Sequence, residues 1–156
     1  MTTENTLFFE IDNNESYIRI ELHELMFPNA ELDWDRNWIK ATVKVKAGAF
    51  YGQFKADFMT VAFEQFKNGL EVLYKNLSGT AEFKTRERQV DINISGNGIG
   101  QLFAVCKVMD SVGTGNELEF DLNFDQTEIP KILLQLDQIT TEFPITGDIK
   151  IEYKKH

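Results

Sequence analysis

The segment FKADFMTVAFEQFKNGLEVLYKNLSG, residues 54–79, decides the fold class because its hydrophobic period changes in the middle. Up to Phe58, apolar and polar residues alternate, which is the period of a half-buried strand. From Thr60 onward, apolar residues recur every three or four positions and form the stripe of an amphipathic helix. That stripe consists of Phe63, Phe66, Leu70, Leu73 and Leu77. The segment therefore predicts a strand and then a helix over about residues 60–77, with Thr60 as N-cap and Gly79 ending the helix.

Alternating segments on both sides of this helix predict further strands. Two lie upstream, around residues 18–22 and 39–45, and the KAGAF turn at 46–50 joins the second of them to the strand that precedes the helix. Those predicted downstream lie near residues 81–83, 90–94, 101–110, 118–124 and 149–153. Three segments between these strands are typical of hairpin turns: RER, SGNGIG and SVGTGN.

A second amphipathic helix is predicted over about residues 126–140, with Asp125 as its N-cap. Strands and helices occur in blocks without βαβ alternation, which is typical of an α+β fold. We therefore expect a single α+β domain, residues 1–156, in which a curved antiparallel sheet of about eight or nine strands packs against the two helices. Residues 101–110, QLFAVCKVMD, are apolar on both faces and predict a central strand that is covered on both sides.

The composition restricts the classes of partner. The chain has 156 residues, with 25 acidic and 16 basic side chains and a net charge of −9. This charge disfavours nucleic acid and anionic membranes and favours a basic protein partner. With neither a signal-peptide pattern at the N-terminus nor a long apolar run, the sequence predicts a soluble, cytoplasmic protein.

The residues that most often carry catalysis do not form a recognisable group. The GNGIG segment at 96–100 precedes a predicted strand, whereas a phosphate-binding loop precedes a helix, so we interpret it as a hairpin turn. His23 and Glu24 are neighbours on one strand and point to opposite faces. Cys106, the single cysteine, excludes an internal disulfide, and its phase on a covered strand predicts an inert, buried thiol. We therefore predict no enzyme activity, no metal and no cofactor.

The segment FPNAELDWDRNW, residues 27–38, contains both tryptophans, Trp34 and Trp38. Acidic side chains surround them: Glu31, Asp33 and Asp35. The spacing lacks the glycine and the final glutamate of a calcium-binding loop. Two interpretations remain open: both rings pack inward while the carboxylates cap a turn, or one ring stays accessible and the carboxylates meet lysines of a basic partner.

A second candidate for binding is the polar face of the predicted strand 118–124. It carries a row of acidic and amide side chains: Glu117, Glu119, Asp121, Asn123 and Asp125. The row is either a solvated face that pairs with lysines of a neighbouring strand or an acidic docking strip.

Three blocks of the sequence, residues 27–46, 52–83 and 117–139, together resemble the WapI-type immunity proteins, small bacterial antidotes encoded beside polymorphic contact-dependent toxins. The shared pattern begins with a loop that enters a strand, here with Asp33, Trp34, Asn37 and Trp38. An amphipathic helix ending in LYKNLSG and a final NFDQTEIPKILLQL element follow, so the resemblance covers roughly residues 20–140.

The resemblance implies a cytoplasmic protein that binds and occludes the C-terminal domain of a delivered toxin, often a nuclease. The candidate toxin-binding residues are Glu31, Asp33, Trp34, Asp35 and Trp38, with a second set at Glu117, Glu119, Asp121 and Asp125. The alternative is a small-ligand binding module with an apolar cavity under the curved sheet. A retained ligand would distinguish this alternative from an immunity protein.

Overall fold

The computed structural model describes residues 6–147 and Ile149, and within them a four-strand meander followed by a helix occurs twice. The first unit consists of β1 (Leu7–Asp12), β2 (Ser16–Leu25), β3 (Trp38–Ala47), β4 (Phe50–Met59) and α1 (Thr60–Asn76). The second consists of β5 (Ser78–Lys84), β6 (Val90–Asn97), β7 (Gln101–Met109), β8 (Glu117–Asp125) and α2 (Ile129–Glu142). Short 3-10 turns, Asp35–Asn37 and Gln126–Glu128, precede β3 and α2.

The predicted α+β class, the antiparallel pairing and both helices are confirmed. The eight described strands form two sheets of four, β1–β4 (sheet 1) and β5–β8 (sheet 2), where we expected one curved sheet. The strand β1 was not predicted from the sequence, although the apolar residues Leu7, Phe9 and Ile11 alternate with polar ones along most of it. The strand predicted at residues 149–153 lies outside the described residues, apart from Ile149.

Five buried phenylalanine rings join the two sheets through α1. Phe9 and Phe58 come from sheet 1, Phe63 and Phe66 from α1, and Phe83 from sheet 2. The centroid of the Phe83 ring lies 5.1–5.6 Å from those of the other four, in tilted or edge-to-face arrangements. Aromatic rings favour these geometries, which bring the positive edge of one ring to the negative face of another.

The ends of α1 differ from the prediction. Thr60 does not cap the helix, because its hydroxyl donates to Oδ1 of Asn37 at 2.5 Å. The C-cap is Leu77, in a left-handed conformation with φ 60°, and not Gly79. The Leu77 carbonyl accepts a hydrogen bond from the Gly98 backbone at 2.8 Å, so a contact with the β6–β7 hairpin outweighs the usual preference for glycine.

The strand β7 is central in sheet 2, but only one of its faces is covered, so that prediction was wrong. Its inward residues are buried: Leu102, Ala104, Cys106 and Val108. On the outer face, Phe103 and Val105 remain 41% and 42% exposed. The helices lie elsewhere, α1 against β5 and α2 against α1 and β1.

Replacing Phe83 by alanine should lower the free energy of unfolding by about 3–5 kcal/mol, the usual cost of truncating a buried phenylalanine. The matched control is Phe103→Ala, which truncates the same residue type on the exposed face of the same sheet and should cost about 1 kcal/mol or less. Urea denaturation followed by circular dichroism measures both values. Equal losses would contradict the central position of Phe83.

Candidate functional site

The loop of residues 27–38 is held in place by Asn37, which is fully buried. Its Nδ2 donates to the backbone carbonyls of Asp33 at 2.6 Å and Thr146 at 2.8 Å. Its Oδ1 accepts from the Thr60 hydroxyl at 2.5 Å and from the Thr146 backbone at 2.8 Å. Both donors and both acceptor positions of the amide are therefore used, which fixes the loop to the start of α1 and to the segment after α2.

Arg36 stabilises the first half of this loop through contacts with residues 30, 31 and 33. Its Nη1 donates to the carbonyls of Ala30 at 3.0 Å and Glu31 at 3.3 Å, and its Nη2 pairs with the Asp33 carboxylate. Gly147 lies against the same carboxylate, so closely that a side chain at position 147 would overlap it. The Asp33 carboxylate therefore stabilises the loop conformation through its contacts with Arg36 and Gly147.

The two tryptophans have different environments. Trp34 is 39% exposed, and the guanidinium carbon of Arg86 lies 4.7 Å from the centre of its ring, within cation–π range. Trp38 is half-buried and begins β3, paired with Met59 of β4. Trp34 therefore stays partly accessible, as the second interpretation expected. The other part of that interpretation, contact between the carboxylates and lysines of a basic partner, stays a prediction.

Other side chains make the loop surface both apolar and acidic. Phe27 and Leu32 are 49% and 65% exposed. Glu31 is exposed, and Asp35 is half-buried at the start of the 3-10 turn. The loop therefore presents apolar groups beside carboxylates, a composition that protein interfaces use.

The acidic row on β8 is exposed along its whole length, at the edge of sheet 2. Glu117 forms an ion pair with Lys107 of β7 at 3.6 Å. Asp125 caps the turn before α2, as predicted, by accepting from the backbone of Thr127 at 3.0 Å. That hydrogen bond lowers the pKa of Asp125 below its ordinary value.

Two open grooves lie beside the acidic row, and Arg86 links one of them to Trp34. Arg86, which covers Trp34, also lines a groove of about 330 Å³ that extends to Lys107 and Glu117. A neighbouring groove of about 230 Å³ shares Lys107 and reaches Val105. Charged side chains supply more than half of the residues lining each groove, unlike the enclosed apolar cavity of the ligand-binding alternative. Between the two sheets, the phenylalanine rings pack against one another.

The other candidate residues occupy ordinary structural positions. Cys106 is buried, and burial raises the pKa of its thiol to about 12, with a smaller contribution from Asp121. His23 is exposed, with Nε2 2.7 Å from the Thr42 hydroxyl. The GNGIG segment forms the hairpin between β6 and β7, as predicted.

Within residues 6–147 and Ile149, no group of three or more histidine, cysteine, aspartate or glutamate side chains is arranged to hold a metal ion. Over the same residues, every helix is too short or too polar to cross a membrane.

A family model, the immunity protein WapI-like family, matches residues 7–144. The chain belongs to this family. The match extends beyond the blocks recognised in the sequence and includes β1 and all of α2. Membership in the WapI-like family implies a toxin-neutralising role and hence a protein partner. Comparison with curated proteins gave no match.

Solved structures share the fold of this WapI-like protein at low sequence identity. WHY1 from Arabidopsis thaliana has a TM-score of 0.53 at 9% identity, over 93% of this chain and 88% of that one. The plant transcriptional regulator PBF-2 has a TM-score of 0.50 at 13% identity, over 92% and 84%. MRP1/MRP2 of trypanosoma bruciei has a TM-score of 0.50 at 12% identity, over 90% and 86%. At these identities the likeness shows the fold alone.

The roles of Asn37 and Arg86 were not predicted from the sequence. Asn37 bonds to residues 23 and 109 positions away, Thr60 and Thr146, so no local spacing could have revealed the contact. Arg86 lies in the β5–β6 turn, far along the chain from Trp34. Phe103 could have been noticed in the sequence, because it is an apolar residue on the outer face of β7. Both faces of that strand were predicted to be covered, so Phe103 was not singled out.

Replacing Asn37 by alanine should lower the free energy of unfolding by at least about 2 kcal/mol, since each buried donor or acceptor left unpaired costs about 1–3 kcal/mol. The control is Asn93→Ala on β6, an exposed asparagine with one side-chain partner, Glu82. Urea denaturation compares the two variants. If Asn37→Ala is no more destabilising than Asn93→Ala, the central role of Asn37 is wrong.

The Cys106 thiol should react with a thiol-specific reagent at pH 8 only after unfolding. In the folded protein its pKa of about 12 and its burial keep the thiolate scarce and out of reach. The rate of reaction is measured spectrophotometrically in buffer and in urea. Rapid labelling of the native protein would contradict the inert assignment.

Proposed function

We propose that the protein is a non-enzymatic immunity protein that binds a toxin domain stoichiometrically and occludes it in the cytoplasm. The observation that carries this proposal is the WapI-like family match over residues 7–144. The chemistry of the ionisable groups supports it. Four described groups have an altered pKa, and each alteration follows from a structural contact. Asp125 caps a turn, the Cys106 thiol is buried, and the raised pKa of Lys67 follows from its hydrogen bond to Asp137. Burial raises the pKa of Glu21, but hydrogen bonds with Arg19 and Lys44 outweigh it and hold that pKa below its ordinary value.

The charge of the chain supports a basic toxin domain as the partner. A net charge of −9 attracts a positively charged protein and speeds the encounter, whereas it repels nucleic acid. The candidate contacts are the loop of residues 27–38 and the β8 row. In the loop, Trp34, Glu31 and Asp35 are available to a partner, while Asp33 pairs with Arg36.

The direct test is rescue of growth. The toxin domain encoded beside this gene is induced in a neutral host with and without the protein, and the complex of the two purified proteins is examined by size-exclusion chromatography with light scattering. We expect rescue and a 1:1 complex. Absence of both rescue and complex would overturn the proposed function.

Charge reversal in the loop should slow association. The variant is Glu31→Lys with Asp35→Lys; Asp33 is left unchanged because its reversal would break the contact with Arg36. The control reverses two exposed acidic residues on the helices, Glu71→Lys with Glu142→Lys, and changes the net charge equally. Stopped-flow kinetics would show a larger loss for the loop variant if the loop contacts the toxin. Equal losses would remove the loop from the interface.

The association rate of the wild-type pair should fall as the salt concentration rises, because ions screen the attraction between the acidic protein and the basic toxin. Rates measured by stopped flow from low to high salt check this. A rate that is independent of salt would contradict the electrostatic contribution, while stoichiometric binding would stand.

A further inference from the structure

The outer face of sheet 2 carries two apolar side chains where a solvent-facing antiparallel sheet normally carries polar ones. Phe103 and Val105 are two residues apart on β7, so they are neighbours on one face, and they are 41% and 42% exposed. A single exposed apolar residue is ordinary, but an adjacent pair at the centre of a sheet forms a patch. Neither helix covers it, since both lie on other parts of the sheets.

Polar groups surround this pair on both sides. The strand register places Asp121 and Asn123 of β8 opposite Val105 and Phe103. On the other side, Asn93 of β6 lies opposite Val105. An apolar centre within a polar margin is the usual arrangement of a protein-binding surface.

Some of the carboxylates beside Phe103 and Val105 form no ion pair within the described part of the chain. Glu117 is paired with Lys107, and Asp125 is engaged in its cap. Asp121 and Glu119 form no ion pair with any side chain in the part of the chain that the structure describes. They are therefore available to cations of a partner.

Asp91 adds a buried acceptor to the same face. It lines the groove of about 230 Å³ that also contains Val105 and Glu119. Among the described residues, its Oδ1 is shielded from solvent and has no hydrogen-bond partner, while Oδ2 lies 3.9 Å from Arg88. Because this oxygen is closed to solvent, a docking partner does not reach it either, and the exposed carboxylates of Asp121 and Glu119 are the acceptors that this face offers.

We propose that the toxin docks on the outer face of sheet 2, through a positively charged segment that carries an apolar anchor. The anchor packs on Phe103 and Val105, and lysine or arginine side chains beside it meet Asp121 and Glu119. This assignment rests on the proposed function and favours the β8 row over the loop as the main contact. Trp34 then lies at the margin, connected to this face through Arg86.

The apolar contact is tested with the double variant Phe103→Thr and Val105→Thr, because threonine keeps a high strand propensity and removes the apolar surface. The control makes the same change at two exposed apolar positions elsewhere, Tyr51→Thr on β4 and Val72→Thr on α1. Calorimetric titration with the toxin domain should show binding about 30-fold weaker or more for the sheet 2 variant, as for an interface hot spot, and little change for the control.

The charge contact is tested with Asp121→Lys against Glu71→Lys, which changes the net charge by the same amount on the exposed side of α1. Association should slow at least about tenfold for Asp121→Lys and much less for the control, because a charge at the interface acts more strongly than one far from it. Circular dichroism and urea denaturation verify that each variant is folded.

The outcomes separate this assignment from the function on which it rests. A wild-type complex that both sheet 2 variants weaken more than their controls do supports the assignment. If the wild-type protein binds and the sheet 2 variants bind as well as the controls, the toxin docks elsewhere and the assignment is overturned, while the immunity function stands. If the wild-type protein forms no complex, the function is overturned and the assignment falls with it.

Discussion

The contact of Phe83 with four other phenylalanine rings is the interaction on which the rest of the structure depends. Each meander is a four-stranded sheet with one apolar face, and neither face is stable in water unless something covers it. Phe83 reaches from sheet 2 to Phe9 and Phe58 of sheet 1 and to Phe63 of α1, so one side chain brings three layers together. The positions of the outer faces of the two sheets, and of the loops at their ends, are consequently fixed relative to one another.

The hydrogen bonds of the buried Asn37 side chain fix the loop of residues 27–38. Asn37 is buried without charge and satisfies every hydrogen-bonding position of its amide. The loop of residues 27–38 can therefore expose Trp34 and its carboxylates on a backbone that is already ordered. A surface that is ordered before binding loses less conformational entropy when a partner arrives, which favours tight association.

Local periodicity was sufficient to predict the helices and most of the strands, because a period of two or of three to four residues reports which face of an element is buried. It could not predict that the strands divide into two sheets, since that depends on contacts such as Phe9 with Phe83, which lie far apart in sequence. The same limitation applied at Thr60, where a tertiary hydrogen bond replaced the local cap. In the candidate site, the alternation of apolar and polar residues was enough to predict the exposed acidic row. It could not predict that Arg86 lies over the ring of Trp34.

The position of the acidic row at the edge of a sheet has a consequence for the protein before it meets a partner. An edge strand offers unpaired backbone groups, and two copies of such a strand readily join into a continuous sheet. Here, like charges along β8 oppose that joining, and the Asn13 side chain already occupies the backbone carbonyl of Asn123 on the same strand at 3.0 Å. The acidic row therefore has a second effect, since its like charges disfavour self-association of the free protein through this edge.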